Sequence, residues 1–128
     1  MVTSASLSTS SEAAETAETA EAYHVVTVDL GESRSYPIYI GTNMMSDSSF
    51  YSRHIPSRDV LLVSNTTVFP LYGDAVMGAI TRAGKRVVSV VLPDGEEFKT
   101  IEQCAPIWET ALREKMGRNT TMAVMSSR

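Results

Sequence analysis

The residues Pro93-Asp-Gly-Glu-Glu-Phe-Lys99 follow directly on an apolar run, Arg86-Val-Val-Ser-Val-Val-Leu92. A carboxylate such as Asp94 or Glu96 can accept both hydroxyls of a ribose. Gly95 lets a backbone come close to a ligand, and Lys99 can meet a phosphate. Ligands of open α/β sheets sit just beyond the carboxyl ends of the strands, which is where this turn falls if residues 86–92 form a strand. A second polar group, Ser64-Asn-Thr66, ends another apolar run, residues 59–64. Its side chains can donate to phosphate or ribose oxygens, and Asn65 or Thr66 serves equally well as a plain helix N-cap. One acidic turn by itself is better read as a solvated loop leading into a capped helix. Two such loops at one sheet edge favour a nucleotide.

Other chemistries find little support. His24 and His54 are isolated and fit a surface or core role. No His, Cys and Glu residues have metal-site spacing, and no nucleophile elbow, P-loop or G-x-G-x-x-G is present. Asn65-Thr-Thr and Asn119-Thr-Thr match the glycosylation pattern, but both abut strand-like runs, so chance is the simpler reading. Cys104 is the only cysteine and fits a reducing compartment. No apolar run reaches the roughly 18–20 residues that span a bilayer.

Charge is distributed unevenly. Glu12, Glu15, Glu18 and Glu21 fall in residues 1–22, which hold no Lys or Arg. Of the 15 acids, the remaining eleven are matched by 11 bases, so the rest of the chain is formally neutral. That argues against a nucleic-acid surface, which needs a basic stripe. Residues 1–22 are almost entirely Ser, Ala, Thr and Glu, with too little apolar surface to offset the entropy of ordering. They read as a disordered acidic low-complexity tail, followed by a partial nucleotide-binding α/β domain over 23–128.

The elements that must position these residues follow from periodicity. Residues 24–30 and 36–40 are β-rich runs joined by Gly31-Glu-Ser-Arg-Ser35, which predicts a hairpin with a longer loop. Pro37 belongs at an edge or a strand start. A short helix is expected near 44–53. Residues 59–64 and 86–92 are continuous apolar strands of the kind covered on both faces. Between them Val68, Leu71, Tyr72, Ala75, Val76, Ala79, Ile80 and Ala83 keep helical spacing, closed by Gly84. Ile101, Ala105, Trp108, Leu112 and Met116 predict a second helical stripe, closed by Gly117. Thr100 and Gln103 form a capping-box pattern, whereas Pro106 should kink this helix or move its start to about residue 105. Residues 120–125 are the last strand, and Met122, Val124 and Met125 are expected to lack cover. The fold class is α/β: an N-terminal β-hairpin plus a parallel βαβαβ Rossmann-like sheet, incomplete at the C-terminus.

Four stretches, in order, resemble 3-dehydroquinate synthase in its N-terminal nucleotide-binding domain. Ser35-Tyr-Pro-Ile-Tyr-Ile-Gly41 is similar to that family's opening hairpin, and Val63-Ser-Asn-Thr-Thr-Val-Phe-Pro-Leu-Tyr72 to its second-strand turn and helix. Leu92-Pro-Asp-Gly-Glu-Glu-Phe-Lys-Thr100 is similar to its NAD-binding loop, and Asn119-Thr-Thr-Met-Ala-Val124 to the strand that follows. The resemblance spans about residues 24–125, is closest to plant-type members and points to a plastid, with the cytoplasm as the alternative. It implies that Asn65, Asp94, Gly95, Glu96 and Lys99 contact NAD, with Ser64 and Thr66 nearby.

The family closes a seven-carbon keto-sugar acid phosphate into 3-dehydroquinate, in the shikimate pathway of aromatic amino acid biosynthesis. NAD oxidises an alcohol transiently, phosphate is eliminated, and a divalent metal, commonly zinc, is held in a C-terminal helical domain. No catalytic residue and no metal ligand is therefore carried over. After the last strand the family has a Gly-rich turn for the NAD pyrophosphate, where Met125-Ser-Ser-Arg128 stands here. The expectation is a truncated domain, inactive alone and weak for NAD, with a full-length homologue as a dimer partner. The alternative is a non-catalytic nucleotide-binding or partner-binding module.

Overall fold

The structure, a computed structural model, describes residues 23–127. The acidic stretch 1–22 and Arg128 lie outside the described residues. The chain divides into two compact units, Met1–Met44 and Met45–Arg128.

The first unit is the expected hairpin. Strands β1 (Tyr23–Val28) and β2 (Tyr36–Gly41) pair antiparallel, with Val25 opposite Tyr39 and Thr27 opposite Pro37. The ribbon has two strands, so Pro37 has an open side for its missing N–H. β1 ends at Val28 rather than at residue 30 because Asp29 turns the chain. Its carboxylate accepts the amide of Gly31 at 3.1 Å and faces the Ser35 hydroxyl at 3.1 Å. These bonds hold the Asp29 carboxyl below its ordinary range.

The second unit is built on three continuous apolar runs. β3 (Asp59–Asn65) lies in the middle of a parallel sheet of order β4-β3-β5, flanked by β4 (Arg86–Leu92) and β5 (Thr121–Val124). Successive residues of β3 point to opposite faces, and both faces are covered. Val60 and Leu62 pack with Val68, Val76 and Ile80 of the segment that follows β3. Leu61 and Val63 pack with Val90 and with Ile107 and Ala111. Helices α2 (Phe69–Arg82) and α3 (Ile101–Arg113) therefore cover opposite faces. Two crossovers of one hand, the first from β3 to β4 and the second back from β4 past β3 to β5, give this arrangement.

The short helix α1 (Ser48–His54) begins at Ser48, later than expected, because Asp47 caps it. Tyr51 donates its hydroxyl to the carbonyl of Met45 at 2.9 Å, and burial pushes its phenol up.

Four expectations require correction. Helix α3 begins at Ile101 despite Pro106, with Thr100 accepting the Gln103 amide at 3.3 Å. Pro106 lies beyond the first turn, so it removes one internal donor and leaves the cap intact. Three members of the stripe read as the core face of α3 point outward: Ile101, Trp108 and Leu112 are 75 %, 57 % and 78 % exposed. Its last member, Met116, does pack on the sheet, together with Ile107 and Ala111. Gly117 does not close this helix, since the left-handed residue is Lys115, at φ 57. At β5, Met122 and Val124 are exposed as expected, whereas Met125 is buried against Ile55, Val60 and Leu62.

Candidate functional site

A cleft of about 610 Å³ opens at the carboxyl end of the sheet. The order β4-β3-β5 makes the junction of β3 and β5 the point where the chain reverses its lateral direction. Crevices at such switch points are the usual ligand sites of open α/β sheets. The cleft is walled by the ends of all three strands and by the first turns of α3. Val63, Leu92, Phe98, Ile101 and Val124 give it apolar lining that suits a flat ring.

Sequence order alone brings both candidate loops here. Asn65 ends β3, and its register partner is Leu92, the last residue of β4. The ladder continues one bond further, from the Thr66 amide to the Leu92 carbonyl at 3.0 Å. Two loops 29 residues apart in sequence thus start from adjacent points, and Asn65, Asp94, Gly95 and Lys99 all line the cleft.

The side chains divide their work. The Asn65 amide oxygen accepts the backbone amides of Thr67 at 3.0 Å and Val68 at 2.8 Å. It satisfies donors at the turn that leads into α2, where Val68 offers no side-chain cap of its own. The Asn65 Nδ2 group reaches Asp94 Oδ1 at 3.5 Å, a long contact. Thr67 donates its hydroxyl to Asp94 Oδ2 at 2.7 Å. Ser64 lines the cleft, but its hydroxyl donates to the carbonyl of Met125 at 3.0 Å.

The turn after Asp94 needs its glycine. Gly95 has φ +130, a conformation that side chains strain, and a Cβ there would lie 2.8 Å from Glu97 Oε1. The Phe98 amide donates to the Gly95 carbonyl at 3.1 Å and closes a short 3₁₀ turn, Glu96–Phe98. The backbone of Glu96 opens that turn; its side chain lies outside the described residues. Lys99 is exposed on the cleft wall. The N-terminal end of α3 opens on the same space through Thr100, Gln103 and Cys104, and the amides and dipole of such an end favour an anion.

Thr67 did not figure among the candidate residues, nor did Gln103 and Cys104 as parts of a site. The Thr100–Gln103 pattern identified the helix start and so placed that end of α3. Nothing in a single sequence signals the bond from Thr67 to Asp94. No protein-family model matches the chain. Among the described residues no group of three or more His, Cys, Asp and Glu could hold a metal ion, and no helix is long and apolar enough to cross a membrane.

Proposed function

We propose that this chain is the NAD-binding portion of a protein of the 3-dehydroquinate synthase type. The observation that carries this reading is the convergence of its two marked loops. The turns after β3 and β4 face one switch-point cleft and are joined there by the bond from Thr67 to Asp94. In this role the Asp94 carboxylate takes ribose hydroxyls, Gly95 admits the ligand to the backbone, and Lys99 and the end of α3 meet phosphate. The apolar lining takes a ring. Zinc finds no ligand group among the described residues, so no step of the family's elimination and cyclisation is assigned to them. In the plastid shikimate pathway this portion would hold cofactor for chemistry done by the family's C-terminal domain, and a full-length homologue would be its dimer partner.

Calorimetric titration with NAD tests the proposal. Binding that weakens strongly but measurably in Asp94→Ala, and also weakens in Lys99→Ala, supports it. Binding that neither substitution weakens, or no binding at any concentration reached, overturns it.

A second reading, a partner-binding module, draws on the exposed apolar side of α3 at Ile101, Trp108 and Leu112. A large apolar patch on a surface marks an interaction site. Concentration-dependent sedimentation that Trp108→Ser abolishes would favour it.

A further inference from the structure

We propose that Thr67 is the positioning residue of this cleft. Its hydroxyl holds the Asp94 carboxylate in the pose that receives a vicinal diol. The proposal rests on the nucleotide reading above and deepens it.

The two loops meet through a short chain of bonds. The Asn65 amide oxygen pins the backbone of Thr67 at 3.0 Å, and Thr67 in turn donates to Asp94 Oδ2 at 2.7 Å. The other carboxylate oxygen, Oδ1, faces the Asn65 Nδ2 group at 3.5 Å. Each oxygen of Asp94 thus has one donor from the turn after β3. A carboxylate offers about four acceptor positions, so roughly two stay open, one on each oxygen. Two acceptors on one rigid plane match the two hydroxyls of a ribose.

Asp94 needs such a restraint. It stands beside Gly95, at φ +130, in an exposed turn. Packing does not fix its side chain, and the Thr67 bond is the shorter of its two contacts with the β3 turn. A carboxylate that must be ordered on binding lowers affinity, and one held beforehand does not. A charge-assisted bond from a neutral hydroxyl does this without cancelling the carboxylate charge.

Thr67→Val keeps the shape and removes the donor, and Thr67→Ser restores the hydroxyl. Calorimetry with NAD should show affinity about threefold to tenfold weaker in Thr67→Val, the cost of ordering one side chain. Thr67→Ser should return to the wild-type value. In an Asp94→Ala background Thr67→Val should change nothing further, because the residue acts through that carboxylate. Amide exchange over residues 95–100 should quicken in Thr67→Val and recover in Thr67→Ser. If Asp94→Ala weakens NAD while Thr67→Val does not, the positioning role fails and the nucleotide reading stands. If the unmodified chain takes no NAD, the nucleotide reading fails. Amide exchange then decides only the restraint of Asp94 by Thr67: unchanged exchange in Thr67→Val overturns it, and faster exchange rescued by serine sustains it without the role in binding a diol.

Discussion

Ser64 donates its hydroxyl to the carbonyl of Met125 at 3.0 Å, and both residues are buried. The Met125 amide donates in turn to the Val63 carbonyl at 2.9 Å. The pair extends the β3–β5 contact past the last ladder residues, Val63 and Val124, and welds the two strand ends that flank the cleft. Ser64 shares a face of β3 with Val60 and Leu62, so its hydroxyl works on the α2 side of the sheet.

Ser64→Ala should cost about 1–3 kcal/mol, because the buried Met125 carbonyl loses its hydroxyl donor. Urea denaturation reads this directly. A hydroxyl spent on Met125 has no proton for a ligand phosphate. Any loss of NAD affinity should therefore be small beside that of Asp94→Ala. A variant of unchanged stability with lost affinity would return Ser64 to the ligand.

Trp108 and Ile107 are neighbours in sequence with opposite fates. Trp108 is 57 % exposed, whereas Ile107 packs on Leu61, Val63 and Val90. Trp108→Ala should change stability by no more than about 0.5 kcal/mol, as for an ordinary surface site. Ile107→Ala should cost about 1–3 kcal/mol, below the full core value because its side chain is half-buried. Trp108 is the only tryptophan, so a solvent-exposed, red-shifted fluorescence spectrum checks its placement in the unmodified chain. A blue-shifted spectrum, or a larger loss for Trp108→Ala, would restore the original stripe.

This pair also marks what the sequence made legible. The strands β3 and β4 were readable because burial on both faces leaves unbroken Val and Leu runs. Their order with two helical patterns then implied the parallel sheet and placed both candidate loops at one edge. The face of α3 was not readable from apolar periodicity alone. Trp108 is larger than its sheet-facing neighbour Ile107 and Leu112 is larger than its neighbour Ala111, and Thr110 is buried while Leu112 is not. Periodicity finds the most apolar stripe, but packing can select smaller side chains that let a helix approach. The lining of the cleft was legible as far as Asn65, Asp94, Gly95 and Lys99. The dual role of Asn65, capping donors with one atom and facing Asp94 with another, depends on a register that appears only in the fold.

The cap of α1 gives a pH-dependent prediction. Asp47 accepts the amides of Ser49 at 3.0 Å and Phe50 at 3.4 Å, and the Ser49 hydroxyl at 2.6 Å. The Ser49 hydroxyl is the main cause of a carboxyl held below its ordinary range, with burial opposing it. The folded form therefore binds fewer protons than the unfolded form. Its contribution is fully present above the unfolded value, near about 3.9, and is lost as pH falls through the lower folded value. At neutral pH Asp47→Ala should cost about 0.5–2 kcal/mol. Denaturation midpoints should show the gap from the unmodified chain closing below about pH 4. Asp47→Asn caps without titrating, so its midpoint should lack that acid-dependent change. A gap that stays constant to the lowest pH at which the chain folds would refute the carboxylate's role.

The two long helices end in the same way with different residues. In α2 the Lys85 amide donates back to the Ile80 carbonyl at 3.3 Å and the Gly84 amide to Thr81 at 2.9 Å, with Gly84 at φ +86. In α3 the Met116 amide donates to Ala111 at 2.9 Å and the Lys115 amide to Leu112 at 3.1 Å, with Lys115 at φ 57. Both are Schellman closures, which need one left-handed residue and prefer glycine there. A side chain in that conformation costs roughly 1–2 kcal/mol, and glycine escapes the cost but gives up more entropy on folding. Lys115→Gly should therefore stabilise the chain by about 0.5–1 kcal/mol, in the range found for conformation-compatible backbone changes. Gly84→Ala should destabilise it by about 1 kcal/mol through the same φ requirement. Gly117 is not left-handed and has open space at its Cβ position, so Gly117→Ala should be neutral or mildly stabilising. Chemical denaturation of the three variants separates the cases. A gain from Lys115→Gly with no loss from Gly117→Ala places the stop signal of α3 at Lys115. The opposite pattern would move it to Gly117, where glycine frequency alone had put it.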